Sequence, residues 1–328
     1  MVITHKESNM KILVCGATGF MGRNLFEYFL AQGHEVYGTA WENEAYHENI
    51  IYVNLKDEDE INNLFETIRP EVVIQAAATT SGVADTLAKP YIHVTDNAVV
   101  NSLVLRAAFE YKVKHFIFLS CSVMYQPSEK PLKESDWNPG DEIIKQYFGV
   151  GNMKVFIERQ CEFYSRLGMK CTAVRHSNTY GPYDKFDPDH SHVLGSSIRK
   201  VMEATDYVEV WGTGEEKKDL IYVSDVVAGI DVLIHRQTDM FERVNMSSGI
   251  GLTINDLVKK IIKCSGKTLA IEHNIGKPSI PVHLVYDSSK MKEKYGWEPK
   301  VTLEEGLKLT IEWFKENYKG MHVPTRFQ

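Results

Sequence analysis

The sequence contains no long hydrophobic run. Its apolar stretches fall short of the roughly 20 residues that a transmembrane helix requires. The segment from Met1 to Asn9 is polar and lacks the apolar core of a signal peptide. These features favour a cytoplasmic protein that is not embedded in a membrane.

Positive charge is also scarce. Lys and Arg number 37 against 44 Asp and Glu, so the formal net charge is −7 and the isoelectric point lies near 6.0. Such a balance presents no broad basic field that would attract nucleic acid or an anionic membrane surface. A nucleic-acid partner is therefore not expected, although a local basic pocket for a phosphorylated ligand remains compatible with this composition.

Cysteines are few, and their spacing is uninformative for metal binding. There are five, an odd number, and no C-x-x-C pair occurs. This pattern indicates neither a disulfide framework nor a zinc finger. Cys15, Cys161 and Cys171 lie in apolar strand or helix patterns, which favours buried side chains. We expect no metal site.

A glycine-rich turn is present in a specific context. Gly16, Gly19 and Gly22 follow the apolar run Lys11 to Cys15 and precede apolar residues at helical spacing from Asn24 to Leu30. Strand, glycine turn and helix in this order are typical of dinucleotide sites, where backbone N–H groups approach a pyrophosphate at the positive end of the helix. An ordinary strand-to-helix turn is the alternative. A second strand follows in order and favours nucleotide binding.

Strand and helix patterns alternate over the first half of the chain. Further strands are predicted at 50–55, 71–76, 114–119 and 170–175, with helices at 57–68, 96–111 and 148–167. This alternation predicts an α/β fold with a doubly wound parallel sheet, the Rossmann fold. From His176 the rhythm breaks, which indicates a smaller, partly interleaved C-terminal α/β domain. We expect residues 1–175 and 219–245 to bind the dinucleotide, and residues 176–218 and 246–328 to bind the substrate.

The end of the predicted second strand bears on the identity of the cofactor. Sites that prefer NAD usually place Asp or Glu there to bind the ribose 2′-hydroxyl, whereas this strand ends in Thr39-Ala40-Trp41. The lack of an acid removes a charge that would repel a 2′-phosphate. Arg23, directly after the third glycine, can pair with such a phosphate, and an exposed helical arginine is the alternative. We expect NADP, with NAD as the alternative because Glu42 and Glu44 follow shortly.

Further stretches between residues 11 and 317 carry a family resemblance. They are Gln75-Ala76-Ala77-Ala78, Asn97, Asn178-Thr179-Tyr180-Gly181-Pro182, Phe186-Asp187, Ser191-His192-Val193, Val210-Trp211-Gly212-Thr213-Gly214 and Tyr222-Val223-Ser224-Asp225. With the glycine turn, they resemble the extended short-chain dehydrogenase/reductases of the NAD-dependent epimerase/dehydratase family. Within it, the chain is most similar to the GDP-L-fucose synthase group, which acts on nucleotide sugars. The resemblance also implies a homodimer, formed through the helices near 96–111 and 148–167.

The resemblance implies which residues contact the ligands. For the cofactor they are Gly16, Thr18, Gly19, Phe20, Met21, Gly22, Arg23, Asn54, Leu55, Ala76, Ala77, Ala78 and Lys154. For the nucleotide-sugar substrate they are Asn178, His192, Lys200, Trp211 and Lys218. Lys200 and Lys218 stand where relatives carry arginines near the diphosphate. They keep the positive charge but lose the bidentate geometry of a guanidinium group.

The catalytic motif departs from the family pattern. Relatives use a Ser or Thr together with Y-x-x-x-K, in which Tyr and Lys share one helix face and the ammonium lowers the pKa of the phenol. Lys154 is the expected lysine, with Glu158 four residues later, but Val150 occupies the tyrosine position. Tyr147 lies seven residues before Lys154, about 10.5 Å along a continuous helix. It is a catalytic candidate only if the helix begins after it, and a structural role is the alternative.

The predicted catalytic strand departs from the pattern too. It continues into Ser120-Cys121-Ser122-Val123-Met124-Tyr125, and alignment on the tyrosine places Cys121 at the usual catalytic serine. The Cys121 thiol is a candidate acid or base, with packing under the sheet as the alternative, and Ser122 is an alternative hydroxyl donor. The Asp-Glu pair of dehydratase relatives is absent, which argues against 4,6-dehydration.

His192 matches the family histidine that acts as an acid in epimerisation. Proton transfer is therefore its expected role. Asp184, Asp187, Asp189 and His190 lie nearby in the sequence, so a metal site is the alternative. No ligand spacing supports that alternative, and a solvated acidic loop explains the carboxylates more simply.

Three hypotheses for the function follow. The first, which the resemblance favours, is NADPH-dependent reduction of a nucleotide-linked 4-keto sugar such as a GDP-4-keto-6-deoxyhexose, with or without epimerisation at C3 and C5. The second is a redox-neutral nucleotide-sugar epimerase, or a dehydrogenase, with tightly bound NAD(P). The third, suggested by the missing tyrosine, is a catalytically silent NAD(P)-binding scaffold.

Overall fold

The fold is that of a computed structural model, which describes residues 9–80, 83–188 and 191–318. Within these ranges the strands are β1 Lys11–Cys15, β2 Glu35–Ala40, β3 Ile50–Tyr52, β4 Val72–Gln75, β5 His115–Leu119, β6 Lys170–His176, β7 Asn178–Tyr180, β8 Tyr207–Trp211, β9 Lys217–Tyr222, β10 Phe241–Met246, β11 Gly251–Thr253 and β12 Ala270–Asn274. The α-helices are α1 Phe20–Ala31, α2 Glu58–Ile68, α3 Val83–Ala88, α4 Thr95–Glu110, α5 Phe148–Arg166, α6 Val193–Glu203, α7 Val223–Arg236, α8 Ile254–Ser265, α9 Ser289–Tyr295 and α10 Leu303–Asn317.

A seven-stranded sheet in the order β10-β6-β5-β4-β1-β2-β3 forms the centre of the fold. Each neighbouring pair of strands in it is parallel. Strands β1, β4 and β5 are almost continuous apolar runs because helices cover both faces of the sheet. The strand order reverses between β1 and β4, and the crevice at their carboxyl ends is where doubly wound sheets bind ligands. The predicted Rossmann fold is confirmed.

Two apolar clusters hold the helices on the sheet. On one face, Phe26 and Phe29 of α1 pack with Leu233 of α7. On the other face, Phe65 of α2 and Ile157 of α5 belong to a cluster that includes the buried thiols of the sheet and α5. Each large apolar side chain buried in this way contributes about 1.5–3 kcal/mol. Among the described helices, none has both the length and the apolar composition to cross a bilayer.

The second half of the chain builds two smaller sheets. Strands β11, β9 and β7 form one, and β12 and β8 form the other. A separate apolar cluster that includes Ile198, Leu257 and Leu307 joins them to α6, α8 and α10. After β9, the chain returns through α7 to β10 in the central sheet. The smaller unit is therefore interleaved with the central sheet, and residue 219 lies inside β9.

A buried ionic network ties α5 to the central sheet. The carboxylate of Glu158 accepts hydrogen bonds from Nε and Nη2 of Arg175 (2.9 and 2.6 Å), Nε of Arg243 (2.7 Å) and Oγ of Ser120 (2.6 Å). Burial alone would raise the pKa of Glu158, but the two guanidinium groups and the Ser120 hydroxyl hold it below its usual range. Ser120 follows β5, Arg175 lies on β6 and Arg243 on β10. One carboxylate thus fixes α5 to β6, to β10 and to the residue that directly follows β5.

Replacing Arg175 with Met tests how far the fold depends on this network. The Arg175→Met variant leaves the Glu158 carboxylate buried without the guanidinium group that donates two hydrogen bonds to it. We expect the free energy of unfolding to fall by about 3 kcal/mol, as when one member of a buried ion pair is removed. Urea denaturation followed by circular dichroism measures this change.

Glu162→Gln is the matched control. Glu162 lies on the same helix but pairs with Arg159 and Arg166 near the surface, where ion pairs contribute about 0–1 kcal/mol. Equal destabilisation of the Arg175 and Glu162 variants would contradict the role assigned to the buried network.

Candidate active site

The glycine turn lies where β1 passes into α1. Gly16 has a φ of 74°, and a side chain there would come within 2.7 Å of the Ala77 Cα atom. A Cβ atom on Gly22 would overlap the carbonyl oxygen of Gly16. Both positions therefore require glycine. No side chain in the described part of the chain caps α1, whose N-cap is Gly19, so its first N–H groups are available to an anion such as a pyrophosphate.

The loop that follows β4 lies beside this turn. Ala76 and Ala77 are half-buried and Ala78 is exposed. Asn97 of α4 fixes the next residue, because its side-chain amide accepts a hydrogen bond from the Thr79 N–H (2.8 Å) and donates one to the Thr79 carbonyl (3.0 Å). Small side chains on a fixed loop keep the crevice beside the glycine turn open. The cradle therefore fits a dinucleotide.

Other predicted cofactor residues lie around the turn or after β3. Thr18, Phe20 and Met21 belong to the turn and the first turn of α1 and are half-buried. Asn54 and Leu55 lie just after β3, one residue beyond its end. The Leu55 side chain is buried in the apolar cluster under the sheet, which favours a packing role for it.

Arg23 is held by protein partners. Its guanidinium lies 4.1 Å from the ring centre of Tyr46 and 4.0 Å from that of Tyr183. It also pairs with Glu27 at 2.9 Å. A 2′-phosphate would therefore compete with two aromatic rings and a carboxylate for this side chain.

Lys154 lies on α5, one turn before Glu158. Its ammonium donates a hydrogen bond to the Leu119 carbonyl at the end of β5 (2.7 Å) and lies 4.7 Å from the ring centre of Phe118. Burial lowers the pKa of Lys154, while the nearby Cys121 and Glu158 oppose this shift. The cation is thus fixed by the main chain at the carboxyl end of β5.

Tyr147 is placed outside the regular helix. It belongs to the 3₁₀ turn Lys145–Tyr147 and caps α5, which begins at Phe148. Its hydroxyl forms no hydrogen bond to another residue that the structure describes. Burial raises the pKa of Tyr147 to about 12, with further contributions from the nearby Cys121 and Glu216. The bend at the start of α5 therefore brings this phenol near the Cys121 thiol.

Cys121 and Ser122 follow β5 and have different surroundings. Cys121 is half-buried; burial raises the pKa of its thiol, and Lys154 is the largest opposing influence. The Ser122 hydroxyl donates to the His176 carbonyl (3.3 Å), and the Ser122 carbonyl accepts from the Tyr286 hydroxyl (3.3 Å). Ser122 is thereby bonded into the fold, whereas Cys121 interacts with the catalytic lysine candidate.

His192 is the N-cap of α6. Its side chain reaches solvent at the protein surface, but desolvation by the surrounding protein lowers its pKa to about 4, and the nearby Lys185, His93 and Lys218 contribute to the shift. The imidazole is therefore neutral near neutral pH, the state in which it can accept a proton.

His176 is a site residue that sequence reasoning missed. It ends β6, and its Nδ1 lies 3.0 Å from both the Ser177 carbonyl and the Thr179 hydroxyl. Burial lowers the pKa of His176 to about 4, and Lys154 and His192 contribute to the shift. The signal in the sequence was an imidazole at the carboxyl end of a predicted strand.

The acidic loop before α6 contains a buried carboxyl group with a raised pKa. Burial raises the pKa of Asp184 to about 7, and its Oδ1 accepts the Lys185 N–H at 2.7 Å. Asp189 and His190 lie outside the described residues. Within 9–80, 83–188 and 191–318, no three His, Cys, Asp or Glu residues are arranged to hold a metal ion.

Two lysine ammonium groups lie close to the ring of Trp211, at the end of β8. The Nζ atoms of Lys200 and Lys277 lie 4.4 and 5.0 Å from the ring centre, and the indole N–H donates to Glu209 (2.9 Å). Ammonium groups beside a flat aromatic surface can bind a phosphorylated ligand that carries a planar base. Lys277 was not among the predicted substrate residues.

Lys218 and Asn178 lie on neighbouring strands, β9 and β7. The Asn178 side chain donates to the Asp219 carbonyl (3.0 Å), which joins the two strands. Burial lowers the pKa of Lys218, while the nearby Glu216 opposes the shift. Like His176 and Lys277, Glu216 was not predicted from the sequence.

Comparisons with known proteins agree with this geometry. Residues 12–246 match the model of the NAD dependent epimerase/dehydratase family. The GDP-L-fucose synthase of Escherichia coli (strain K12) is 28% identical over 280 residues, which cover 81% of this chain and 86% of that protein. GDP-L-fucose synthase 1 of Arabidopsis thaliana is 28% identical over 328 residues, 96% of each chain.

A solved structure gives the same result. The crystal structure of UDP-glucose 4-epimerase from Thermotoga maritima with UDP-glucose superposes with a TM-score of 0.81 at 30% identity, over 94% of this chain and 100% of that one. The fold and most of the length of the chain are thus shared with known members. The chain belongs to the NAD dependent epimerase/dehydratase family and is an NAD(P)-dependent enzyme of that family.

Proposed function

We propose that the protein is an NADPH-dependent reductase of a nucleotide-linked 4-keto sugar, such as a GDP-4-keto-6-deoxyhexose, with epimerisation at C3 and C5 as an accompanying step. The observation that carries the proposal is the placement of Tyr147, Cys121 and Lys154 around the carboxyl end of β5. Similarity to GDP-L-fucose synthases supports GDP as the nucleotide.

The proposed chemistry needs a proton donor beside the cofactor. The nicotinamide, when bound, supplies a hydride to the carbonyl carbon. Tyr147 stays protonated near neutral pH because its pKa is raised to about 12, so its phenol can donate a proton to the carbonyl oxygen. The Cys121 thiol influences the pKa of both Tyr147 and Lys154. We propose that the Cys121 thiol couples the Tyr147 phenol to the Lys154 ammonium.

Epimerisation would use two groups, one that takes a proton from one face of the sugar and one that delivers a proton to the opposite face. A ketone acidifies the neighbouring C–H bonds, and a neutral imidazole can take up the proton that is released. His192 is neutral because its pKa is lowered. It is therefore the proposed acid/base group on one face, and a second acid/base group, for which the Cys121 thiol is the candidate, would serve the other.

The cofactor preference is proposed from the end of β2. This strand ends at Ala40, so no carboxylate at its end repels a 2′-phosphate. NADPH is the proposed reductant, although Arg23 must loosen its contacts with Glu27 and the two tyrosines to bind that phosphate.

Substrate anchoring is assigned to the cluster around Trp211. Lys200 and Lys277 place two positive charges beside the indole ring, and Lys218 adds a third on β9. This arrangement suits a nucleoside diphosphate, with its charges on the lysines and its base against an aromatic surface.

A redox-neutral epimerase with tightly bound cofactor is the second candidate. The observation in its favour is the structural likeness, at 30% identity, to a UDP-glucose 4-epimerase. Such an enzyme would regenerate its cofactor in each cycle instead of consuming it.

The first test is consumption of the reduced cofactor. We expect the purified protein to oxidise NADPH faster than NADH when GDP-4-keto-6-deoxymannose is added, and the near-ultraviolet absorbance of the nicotinamide follows the reaction. CDP-, dTDP- and UDP-linked 4-keto sugars are the parallel substrates. No oxidation with any of them would refute the reductase; copurified cofactor and solvent deuterium entering the sugar without oxidation would support the epimerase.

The second test concerns the proton donor. We expect Tyr147→Phe to lower kcat by about 10²–10⁴-fold, the usual contribution of a positioned general acid. Because the raised pKa keeps Tyr147 protonated, wild-type kcat should stay level from about pH 6 to about pH 9 and fall only at higher pH. Steady-state kinetics across this range measures both effects.

Tyr207→Phe is the control for that substitution, since Tyr207 is exposed on β8. It should leave kcat unchanged. A Tyr147→Phe enzyme with wild-type kcat would exclude Tyr147 as the donor.

We also propose that the enzyme is a homodimer joined through α5. Four large apolar side chains, three on this helix and one directly after its end, are half exposed or more: Phe148, Phe156, Phe163 and Leu167. With 3.6 residues per turn, they fall within an arc of about 100°, which they share with the exposed Asn152 and Arg159. Exposed large apolar side chains gathered on one face of a helix among polar ones are typical of a protein interface.

A charge placed in the stripe tests this interface. We expect the double variant Phe156→Glu, Phe163→Glu to elute as a monomer in size-exclusion chromatography with light scattering. Each subunit would otherwise bury two unpaired carboxylates in the interface. Ile275→Glu is the control, since Ile275 is also exposed but lies beyond β12, away from α5. A double variant with the mass of the wild-type assembly would contradict the proposed interface.

A further inference from the structure

Glu216 is held in place by a tight turn between β8 and β9. The turn contains Gly212 and Gly214 at φ values of 70° and 71°. Its backbone is bonded to the start of α8, because the Gly214 carbonyl accepts the Asn255 N–H (3.0 Å) and the Glu216 carbonyl accepts the Ile254 N–H (3.3 Å). The carboxylate of Glu216 therefore projects from a fixed main chain.

This carboxylate is enclosed yet has no protein partner. Glu216 is only 9% exposed, and its side chain forms no hydrogen bond or close ion pair with any residue in the described ranges. A carboxylate in such a confined place can accept a hydrogen bond from a ligand, whereas a ligand that covers it without offering a donor leaves it unpaired, which is costly. Glu216 therefore favours a ligand that carries a hydrogen-bond donor.

The position of Glu216 places it on the substrate cleft. It precedes Lys218 by two residues in extended chain, so the two side chains lie on the same side of β9. It also acts electrostatically on Tyr147, which belongs to the other half of the molecule at the start of α5. Glu216 is therefore close enough to both the proposed diphosphate anchor and the proposed proton donor to act on each of them electrostatically.

We propose that Glu216 is a specificity-determining residue that accepts a hydrogen bond from a hydroxyl group of the bound sugar. The inference rests on the proposed function, since it requires a nucleotide sugar in this cleft. The sugar ring carries the diphosphate at one carbon and the reacting carbonyl at another, so a group near both the diphosphate anchor and the proton donor is also near the hydroxyl groups of the ring. The substrate class is thereby narrowed to nucleotide sugars with a free hydroxyl at this edge of the ring, and analogues that lack it are rejected because the carboxylate then stays unpaired.

Calorimetric binding of GDP and GDP-mannose to the full-length enzyme with NADP tests the proposal, with UDP and UDP-glucose as a second pair. We expect Glu216→Ala to weaken binding of the nucleotide sugar by about tenfold or more, as for loss of a hydrogen bond to a charged group. Binding of the free nucleoside diphosphate should change less than about twofold. Glu216→Gln retains one acceptor oxygen and should recover part of the loss.

Glu215→Gln is the matched control, because Glu215 is exposed in the same turn and bonded to Asn255 (2.7 Å). It should bind both ligands as the wild type does, and NADP affinity checks that each variant is folded. Equal effects of Glu216→Ala on sugar-linked and free nucleotide, or no effect on either, would overturn the assignment of Glu216 while leaving the proposed function standing. A wild-type enzyme that binds neither pair would refute the proposed function itself.

Discussion

The constraint on which the rest of the structure depends is a negative charge that has to be neutralised inside the protein. Glu158 has no access to solvent, and within the described ranges Arg175, Arg243 and Ser120 compensate for the water it has lost. Two of these partners lie on neighbouring strands and Ser120 directly follows a third, so the helix cannot shift along the sheet without leaving a buried charge unpaired. Lys154 stands one turn away on the same helix, and its place at the end of β5 is fixed by the same arrangement.

Around this fixed cation, most other groups of the site are neutral. Burial raises the pKa values of Cys121 and Tyr147 and lowers those of His176 and His192. Such a site holds its protons ready for transfer and changes little in charge near neutral pH. The electrostatic field in the cleft is then dominated by a few permanent charges.

The fold could be predicted because its signals are periodic and local. Alternating strands and helices and the glycine spacing were sufficient for the Rossmann sheet, and similarity in length and motifs placed the family. The site was harder, since the predicted start of a helix at residue 148 does not show how the chain bends just before it. Tyr147 lies near Cys121 only because the chain bends in a 3₁₀ turn before Phe148. His176 and Glu216 were missed because burial and the lack of a partner are properties of the folded chain.

The interleaved path of the chain has an evolutionary consequence. The chain leaves the central sheet after β6, pairs β7 with β9, returns to pair β10 with β6, and then leaves again. A single crossover between two genes cannot exchange the smaller unit as a block without joining strands from different parents. Acquiring a new substrate thus depends on point substitutions and changes within short turns, such as the one between β8 and β9.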